Sequence, residues 1–395
     1  MKINFLVDSL ASKSISSGGL QNYVTRIASA LQNFGDHVQV FCTTKRQQTQ
    51  NQTSILSITN IQNNHKVLEF LQLITFHQLD GSLKVMTDAI AVKRELGKHE
   101  VANIIQSPNF NSIGLFVKKN KSKLIVRASS YRPLWDKSKG KENNLDNRVK
   151  AYLEKKLYKK ADAVFAPSRY LANILEKEIC RKVDVLPTPL PDLSVEEEKK
   201  WYDQHLQSRK YILYFGDMIG RKGIFILAQA MKEVWQKYPE ALLVMAGPDK
   251  VVRGIFVMKE FFDAVHPYED LVIYSGELDH ESLFPVIKNA FFVVLPSIED
   301  NCPNTMLEAM ALGKAVLGTI GSSLDEFYPI SCQSLLVPKE DSAALAEKIK
   351  QLWSLSTSEL DAYGEELRLH IKQKHSIDQA TRALREYYVR ISTIC

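Results

Sequence analysis

Short apolar segments alternate with amphipathic ones along the whole chain. Most apolar segments are rich in Val, Ile, Leu and Phe without strict alternation, which is typical of strands buried on both faces of a parallel sheet. The predicted strands are Lys2–Val7, Val38–Thr43, Val101–Gln106, Leu124–Ala128, Ala163–Pro167, Val183–Pro187, Tyr211–Phe215, Ala241–Ala246, Leu271–Ser275, Phe291–Leu295, Ala315–Thr319 and Ser334–Val337.

Helical patterns lie between these strands. They include Leu20–Phe34, Arg169–Glu178, Ile224–Lys237, Asn304–Leu312 and a final amphipathic helix, Ile377–Tyr388. Alternating strands and helices predict an α/β fold with parallel sheets built from right-handed crossover units.

The length of 395 residues favours two domains, because a single core rarely grows that far. The proline-rich and then acidic segment Leu186–Arg209 is predicted to be an interdomain linker followed by a short exposed helix. The predicted domains are residues 1–190, with the helix at 377–395 packed back on them, and residues 208–376. Both are expected to be Rossmann-like and doubly wound, and to face each other across a cleft at the carboxyl ends of their strands. The Gln- and Asn-rich residues 45–80 are expected to form a weakly patterned excursion.

Composition adds one unusual feature, a strongly basic stretch. Residues 117–160 hold fifteen Lys or Arg against four Asp or Glu, which is a net charge of +11. Since the whole chain has a net charge of +6, the remaining residues together carry −5. The stretch is either an ordinary solvated surface or a surface that meets anionic lipid or a phosphorylated acceptor. Nucleic acid is not expected as a partner, because the stretch lacks interleaved stacking aromatics and any known reader motif.

The rest of the composition predicts a cytoplasmic protein that is at most peripheral at the inner face of the membrane. No apolar run approaches 18 residues, and the N-terminus suits a buried strand better than a secretion signal. The five cysteines are scattered, so no disulfide framework or zinc site is predicted. His37, His266 and His280 have no partner at ligand spacing and are expected to be surface or capping residues.

The first candidate site is Gly18-Gly19, which follows the first predicted strand and opens the first helix. Glycine lets a ligand approach the backbone closely, and free N–H groups at a helix start suit a phosphate. An ordinary strand-to-helix turn explains the same residues.

The second candidate site is Arg221-Lys222, where another strand gives way to a helix. Two cations there suit a diphosphate, with a forked guanidinium beside a compact ammonium. Solvated charges in a turn are the alternative.

The third candidate site is the segment LPSIEDNCPNTMLEAMALGKAV, residues 295–316. Asn304 is predicted to be the N-cap of a helix, and the N–H groups around Asn304 and Thr305 would face an anion. Asp300 precedes that helix, whereas Glu308 lies on it and suits hydrogen bonds to two ribose hydroxyls. An acidic residue favouring the helix dipole and a surface Glu are the alternative.

This segment resembles the EX7E signature of the retaining GT-B glycosyltransferases of family 4, which typically reads PS-x-x-E-x-x-P-x-x-x-LEAMA-x-G. Three other segments in the same order are also similar to that family: SSGGLQNYVTRIASALQNFGDHVQVF, ADAVFAPSRYLANIL and YILYFGDMIGRKGIFILAQA. The resemblance therefore extends over nearly the whole chain. It implies a nucleoside-diphosphate sugar, UDP- or GDP-linked, as donor, and a glycan, lipid-linked or small-molecule acceptor in bacterial surface polysaccharide or glycoconjugate synthesis.

The resemblance implies roles at matching positions only. Glu308 falls where the family binds the donor ribose, Lys222 where it holds the diphosphate, and Gly19 where a backbone amide meets the donor phosphate. Asp300 takes the first EX7E position, whose carboxylate contacts the transferred sugar, although it is one methylene shorter than Glu. Neighbouring Glu299 gives the wrong spacing. The implied catalytic residues are Asp300, Lys222 and Arg221, and neither a cofactor nor a metal is expected.

Two positions depart from the family pattern. The family commonly has Arg after the glycine at position 216, whereas this chain has Asp217, so Arg221 is the candidate replacement. The histidines that the family carries after two strands of the first domain are also absent here. Two alternative functions therefore stay open: a non-hydrolysing sugar-nucleotide epimerase, and a catalytically silent glycosyltransferase-like partner protein that binds nucleotide.

Overall fold

The computed structural model divides the chain into two compact units, Met1–Pro189 with Ile377–Cys395, and Leu190–Ser376. The residues that it describes are 1–8, 19–43, 57–61, 65–75, 77–119, 121–138, 144–190, 193, 196–252 and 254–393. The first unit extends one residue less along the chain than the predicted domain 1–190, and the second begins at Leu190 rather than at 208.

The first unit is built on a seven-stranded sheet in the order β3-β2-β1-β4-β5-β6-β7, with every pair of strands parallel. Its strands are β1 Lys2–Val7, β2 His37–Cys42, β3 Ser57–Asn60, β4 Ile104–Pro108, β5 Lys123–Arg127, β6 Ala163–Ala166 and β7 Asp184–Val185. Its first six helices are α1 Gly19–Asn33, α2 His65–Ile74, α3 Asp80–Leu96, α4 Arg132–Ser138, α5 Leu145–Lys160 and α6 Arg169–Ile179.

The second unit is built on a six-stranded parallel sheet in the order β12-β9-β8-β13-β14-β15, beside a small antiparallel hairpin, β10-β11. Its strands are β8 Tyr211–Phe215, β9 Leu242–Ala246, β10 Val251–Val252, β11 Ile255–Phe256, β12 Val272–Gly276, β13 Phe292–Val294, β14 Val316–Ile320 and β15 Leu336–Pro338. Its helices are α7 Lys200–His205, α8 Ile224–Lys237, α9 Val257–Val265, α10 His280–Asn289, α11 Asn304–Ala311, α12 Ser342–Trp353 and α13 Thr357–His375.

The last helix, α14 Ile377–Thr393, belongs to the first unit and packs against α1. The Tyr388 hydroxyl donates to Gln106 Oε1 at 2.5 Å inside the core, and Arg385 Nε reaches Asp36 Oδ2 at 3.0 Å. Successive β1 side chains point to opposite faces, so Phe5 packs with α1 and α14 while Leu6 packs in the cluster on the other face. Helices therefore cover both faces of this sheet.

Two segments differ from the predictions. The predicted linker ends up largely inside the second unit, because Leu206 is fully buried and the Leu190 N–H donates to the His375 carbonyl at 2.7 Å. The described part of residues 45–80 contains β3 and α2 rather than an unpatterned excursion. β3 has the polar sequence SITN at the edge of the sheet, so the hydrophobic pattern could not reveal it. Residues 45–56, 62–64 and 76 lie outside the described residues.

A buried polar cluster joins the end of β4 to α4 and α5. Glu154 on α5 accepts hydrogen bonds from Asn109 Nδ2 at 3.0 Å and from the Tyr158 hydroxyl at 3.1 Å, and Arg132 Nε lies 3.6 Å from its second oxygen. Burial is the largest effect on this carboxyl and raises the pKa of Glu154 to about 7, against the opposing effects of Asn109, Arg132 and Tyr158.

This shift predicts a pH-dependent stability. The pKa of Glu154 is raised in the folded state, so the folded protein holds this proton more tightly than the unfolded chain does. The resulting contribution to the free energy of unfolding is fully present below the unfolded pKa of about 4.5 and is lost as the pH rises through 7. We expect the free energy of unfolding to fall by up to about 3 kcal/mol through this group between pH 4.5 and pH 8. Urea unfolding of wild type and Glu154→Gln across this range measures it.

In the Glu154→Gln variant the free energy of unfolding should no longer show this part of its decrease with pH. The matched control is Glu178→Gln, which removes an exposed carboxylate on α6 and should keep the wild-type slope. Equal slopes in wild type and Glu154→Gln would contradict the prediction.

Candidate functional site

The second unit presents its candidate site where the strand order of the sheet reverses. β8 lies between β9 and β13, so the chain moves to one side after β8 and later returns to the other. Ligands of open α/β sheets bind beyond the carboxyl ends of strands at such a point. The loops after β8 and β13 carry Arg221, Lys222 and Asp300, and α11 follows directly.

Two glycines allow the backbone after β8 to lie against the backbone after β9. The Gly216 N–H donates to the Ala246 carbonyl at 2.9 Å, and a Cβ on Gly247 would lie only 2.0 Å from the Gly216 oxygen. Gly247 also has a φ of +140°, a backbone conformation that residues other than glycine rarely adopt. A Cβ on Gly216 would lie 3.4 Å from Thr305 Cγ2, so the first turn of α11 lies beside this loop.

A third glycine joins the β8 loop to the β13 loop. Gly223 has a φ of +76°, and a Cβ there would lie 1.8 Å from the Pro296 oxygen. Two residues beyond Pro296, the N–H groups of Ile298 and Glu299 donate to the Arg221 carbonyl at 3.0 and 3.2 Å. The two loops are therefore held together by their backbones.

This packing brings the predicted residues Lys222 and Asp300 into contact. Lys222 Nζ forms an ion pair with Asp300 Oδ2, and both side chains are largely buried. The second carboxylate oxygen, Oδ1, accepts a hydrogen bond from the Asn301 N–H at 2.9 Å. The ammonium group is thus held in place next to an acceptor that can also bind a hydroxyl group.

Arg221 lies beside this pair but contacts the backbone. Its Nη1 donates to the Glu299 carbonyl at 3.4 Å. Underneath, the Tyr214 hydroxyl donates to the Asp217 carbonyl at 3.0 Å. Burial raises the pKa of Tyr214, and the carboxylates of Asp217 and Asp300 raise it further, so this phenol stays a neutral donor.

The start of α11 differs by one residue from the prediction. Pro303, with extended backbone, is the N-cap, and Asn304 is the first residue of the helix rather than its cap. Proline has no side-chain acceptor, so no side chain caps this helix. The N–H groups of Asn304 and Thr305 belong to the first turn, as a phosphate-binding helix start requires.

Glu308 lies further along α11 and is buried, and a histidine side chain lies close to its carboxylate. His280 Nε2, at the start of α10, is 3.6 Å from Glu308 Oε1. The His280 side chain is 42% exposed, and its ring lies against Phe284. The sequence predicted His280 to be a surface or capping residue, because nothing in the spacing of α10 and α11 along the chain shows that His280 lies close to Glu308.

A second pair that the sequence did not reveal involves Asp217, at the position where the family commonly has Arg. Lys250 Nζ lies 3.1 Å from Asp217 Oδ1. Lys250 follows β9, and β9 is the neighbour of β8 in the sheet. The rule that neighbouring parallel strands end at one edge could have identified this cation.

The remaining predicted residues lie in the first unit. Gly19 is the first residue of α1, which follows β1, whereas Gly18 lies outside the described residues. Within the described ranges, no group of three or more His, Cys, Asp or Glu side chains is placed to hold a metal ion. Nor does any helix in those ranges combine the length and apolarity needed to cross a bilayer.

Comparison with known proteins gives matches over both units. The family model described as Glycosyl transferases group 1 matches residues 209–354, and the one described as Glycosyltransferase Family 4 matches residues 17–191. The uncharacterized glycosyltransferase MJ1059 of Methanocaldococcus jannaschii is 23% identical over 229 residues, 56% of this chain and 54% of that protein. TuaC of Bacillus subtilis, whose description names a teichuronic acid biosynthesis glycosyltransferase, is 27% identical over 150 residues, 37% of this chain and 34% of that protein.

The chain thus spans about half or less of the length of these curated relatives. Among solved structures, HepE of Anabaena in complex with UDP and glucose superposes with a TM-score of 0.74 at 15% identity. That superposition covers 99% of this chain and 100% of the other.

The contact at Gly223 predicts a stability effect. Gly223→Ala should lower the free energy of unfolding by about 1–3 kcal/mol through the strain of Ala at this φ. The contact of its Cβ with a backbone oxygen should add to that loss. The matched control is Gly220→Ala in the same loop, where the nearest atom to the new Cβ would be 3.7 Å away. Urea unfolding compares the two, and equal midpoints would contradict the described loop packing.

Proposed function

The chain belongs to the GT-B glycosyltransferases of family 4, and on that premise we propose that it transfers a sugar from a nucleoside-diphosphate sugar with retention of configuration. The family and the α/β GT-B fold predicted from the sequence are both confirmed. The proposed acceptor is a glycan, a lipid-linked sugar or a small molecule.

One observation carries the proposal: the largely buried pair of Lys222 and Asp300 at the strand-order reversal of the second unit. In the proposed complex the donor diphosphate takes over Lys222, with Arg221 beside it. Asp300 then accepts hydrogen bonds from hydroxyls of the transferred sugar. The N–H groups of Asn304 and Thr305 add helix-end donors for the phosphates.

Glu308 completes this half of the proposed site. Its carboxylate would accept hydrogen bonds from two ribose hydroxyls of the donor, as the family pattern implies. Burial helps, because a carboxylate shielded from water forms stronger hydrogen bonds than an exposed one. In the first unit, Gly19 at the start of α1 and Gly18, which precedes it in the sequence, are the proposed contacts to the donor phosphate.

The proposed chemistry is electrostatic. The bond between the anomeric carbon and the diphosphate oxygen breaks, the sugar gains oxocarbenium character, and the negative charge on the leaving diphosphate is stabilised by Lys222 and Arg221. The acceptor oxygen attacks from the side that the diphosphate leaves, and its proton passes to a donor phosphate oxygen. These cations supply the charge stabilisation in the proposed reaction, so neither a cofactor nor a metal is required.

Relatives and neighbours suggest the donor and the process. A neighbouring structure holds UDP and glucose, which supports testing UDP-sugars before GDP- and ADP-sugars. The description of TuaC names teichuronic acid biosynthesis, which supports a role in bacterial surface polysaccharide or glycoconjugate synthesis. Because ligands that bind the native state raise its melting temperature, a thermal-shift series with these three donor classes identifies the nucleotide.

The two alternative functions predict different products. An epimerase would convert the sugar nucleotide without any acceptor, so epimerised donor in that incubation would refute the transferase. A silent partner protein would bind nucleotide without turnover, and Asp217 in place of Arg is the feature that favours it. Donor turnover by the isolated chain, abolished by Glu308→Ala, would exclude the silent partner.

The principal test is Lys222→Ala. We expect turnover to fall by roughly 10²-fold or more, as when one charge-stabilising donor is removed from an active site. The matched control is Lys250→Ala, a lysine in the same unit that pairs with Asp217, which should retain most of the activity. Steady-state kinetics with the identified donor measure both, and unchanged turnover in Lys222→Ala would place the diphosphate elsewhere.

We also propose that the basic stretch 117–160 contacts an anionic membrane surface. Not all of its cations are available, because Arg127 and Arg132 are buried. On α5, however, Arg148, Lys155, Lys156 and Lys159 are exposed, beside the exposed apolar side chains of Leu145 and Tyr152. Exposed cations next to an exposed apolar side chain and an aromatic one are typical of helices that lie on a membrane surface.

Vesicle flotation tests this contact. Since each cation near an anionic surface contributes about 1 kcal/mol, neutralising Lys155, Lys156 and Lys159 to Gln should weaken binding to phosphatidylglycerol vesicles by roughly 10²-fold at low salt. The control neutralises three exposed lysines of the second unit, Lys199, Lys200 and Lys237. Equal loss in both triple variants would mean that net charge, rather than α5, attracts the protein to the vesicles.

A further inference from the structure

The first unit has a cavity of about 610 Å³ between the last turn of α3 and the amino ends of β1, β4 and β5. Its principal lining residues are Asn4, Lys93, Arg94, His99, Ile105 and Lys118. The volume lies within the range of ligand pockets, about 300–1,000 Å³.

The position of this cavity separates it from the proposed substrate contacts. Ala102 precedes β4 and Ser122 precedes β5, so the cavity lies at the amino edge of the sheet. Gly19, in contrast, follows β1 and lies at the carboxyl edge, where the ligands of parallel α/β sheets usually bind. A ligand at the amino edge would therefore be distinct from the substrates of the proposed transfer.

The cavity contains a nearly buried carboxamide. Asn4 is only 7% exposed, and its neighbours Ile3 and Phe5 point into the core on the other face of the sheet, so its side chain points towards α3. None of the described residues forms a hydrogen bond with this side chain, yet its oxygen and nitrogen are not fully enclosed. Because so little of the amide meets water, a ligand in the cavity that supplies the missing hydrogen bonds is favoured.

Apolar side chains form the floor of the cavity beside this amide. Ile105 is the partner of Asn4 in the pairing of β1 with β4, and it is buried, as are Ala102 and Val117. Val101, at the mouth, is 57% exposed. A group with apolar faces and a polar edge fits such a surface, and a heterocyclic base is a group of this kind.

His99 adds a planar group to the wall. Its Nδ1 lies 3.3 Å from Gln39 Nε2, and its Nε2 lies 3.4 Å from Glu95 Oε1. Phe41 meets the imidazole edge to face, with the ring centres 5.1 Å apart. These contacts hold the ring in one orientation while 29% of the side chain stays exposed, and an imidazole held in this way can stack on a base.

The rim of the cavity is cationic. Four Lys or Arg side chains line it against one carboxylate, Glu100, which itself forms an ion pair with Lys2. Lys93 and Arg94 lie in the last turn of α3, where cations also favour the helix dipole, but Lys118 comes from a separate segment before β5. None of these three cations has an ion-pair partner among the described residues, so together they attract an anionic group.

A neighbouring lysine shows that positive charges crowd this edge. Burial lowers the pKa of Lys160, and the charges of Lys119 and Lys93 lower it further. Lys119 Nζ lies 2.8 Å from Asp162, and Lys160 Nζ donates to the Leu115 carbonyl at 2.7 Å. An anion beside Lys93 would reduce this repulsion.

We propose that this cavity binds a nucleoside phosphate. The base lies against Ile105 with its polar edge on the Asn4 carboxamide, which offers both a donor and an acceptor. The phosphate lies among Lys93, Arg94 and Lys118. Inorganic phosphate alone would leave the amide and the apolar floor uncovered, whereas an uncharged nucleoside would leave the cations without a counter-charge.

Isothermal titration calorimetry with AMP, GMP, UMP and CMP tests the site. The starting protein is the full chain with Lys222→Ala and Glu308→Ala, which removes the main donor contacts proposed above. At least one monophosphate should bind with one-to-one stoichiometry, and adding Lys93→Gln and Lys118→Gln should weaken it by roughly 10-fold or more. The matching nucleoside and inorganic phosphate should each bind more weakly than the monophosphate.

Asn4→Leu separates binding from stability, because leucine has nearly the same size. Since the carboxamide has no partner among the described residues, the variant should melt at the same temperature as the starting protein or higher. Binding of the monophosphate should nevertheless fall by roughly 10-fold. A lower melting temperature with unchanged affinity would show that the amide is structural and would contradict the site.

The matched control is the pair Lys156→Gln and Lys177→Gln, which removes the same charge from the first unit. Lys156 lies on α5, and Lys177 lies in the last turn of α6 as Lys93 does on α3. Both are exposed and neither lines the cavity. This variant should bind the monophosphate as the starting protein does, and an equal loss would mean that net charge alone attracts the ligand.

Two further results would overturn the site: no monophosphate binds the starting protein, or inorganic phosphate binds it as tightly as the nucleotide does. Wild type separates this inference from the function proposed above. Nucleotide binding that is lost with Lys222→Ala and Glu308→Ala but kept with Lys93→Gln and Lys118→Gln would support the donor site and refute the cavity. The opposite result would support the cavity and refute the donor site.

Discussion

The candidate site of the second unit depends on a contact between two backbones. Gly223 lies so close to Pro296 that no side chain fits between them, and its left-handed conformation turns the chain into α8 at that point. Without this approach the loop after β8 would stand away from the loop after β13. Lys222 precedes that glycine directly and Asp300 lies four residues beyond the proline, so the contact is what lets the two charges meet.

The pairing of Lys222 with Asp300 has a consequence for the proposed reaction. A largely buried ammonium needs a counter-charge, and in this state the carboxylate supplies it. A diphosphate that arrives must replace that carboxylate, which then becomes available to sugar hydroxyls. In the proposed reaction nucleotide and sugar recognition would thereby be coupled, because the arriving diphosphate frees the Asp300 carboxylate for the sugar hydroxyls.

The sequence was sufficient to predict the bounds of a strand or helix where the signal is local. The apolar run Tyr211–Phe215 and the helix Ile224–Lys237 have the predicted bounds, because burial on both faces and a regular helical period leave clear patterns. The cap of α11 was misplaced by one residue, since Asn304 is a good cap by type but Pro303 already has the required extended backbone. The short exposed helix predicted within Leu186–Arg209 is confirmed as α7, whereas β3 was missed, because an edge strand owes its structure to a neighbour that composition does not show.

The same difference between local and long-range signals explains why the sequence revealed the candidate site of the second unit but not the buried polar cluster of the first unit. The second unit builds its site from glycines, a lysine and two carboxylates at fixed spacings on two strand-loop-helix segments whose strands, β8 and β13, are neighbours in the sheet. The first unit builds its buried polar cluster from Asn109, Arg132 and Glu154, which lie on three separate elements and meet only because Asn109 is buried among them. No spacing rule links such residues, since any loop length that keeps them together would serve. Residues of this cluster can therefore change together without altering any spacing in the sequence, whereas the site of the second unit depends on spacings that a motif records.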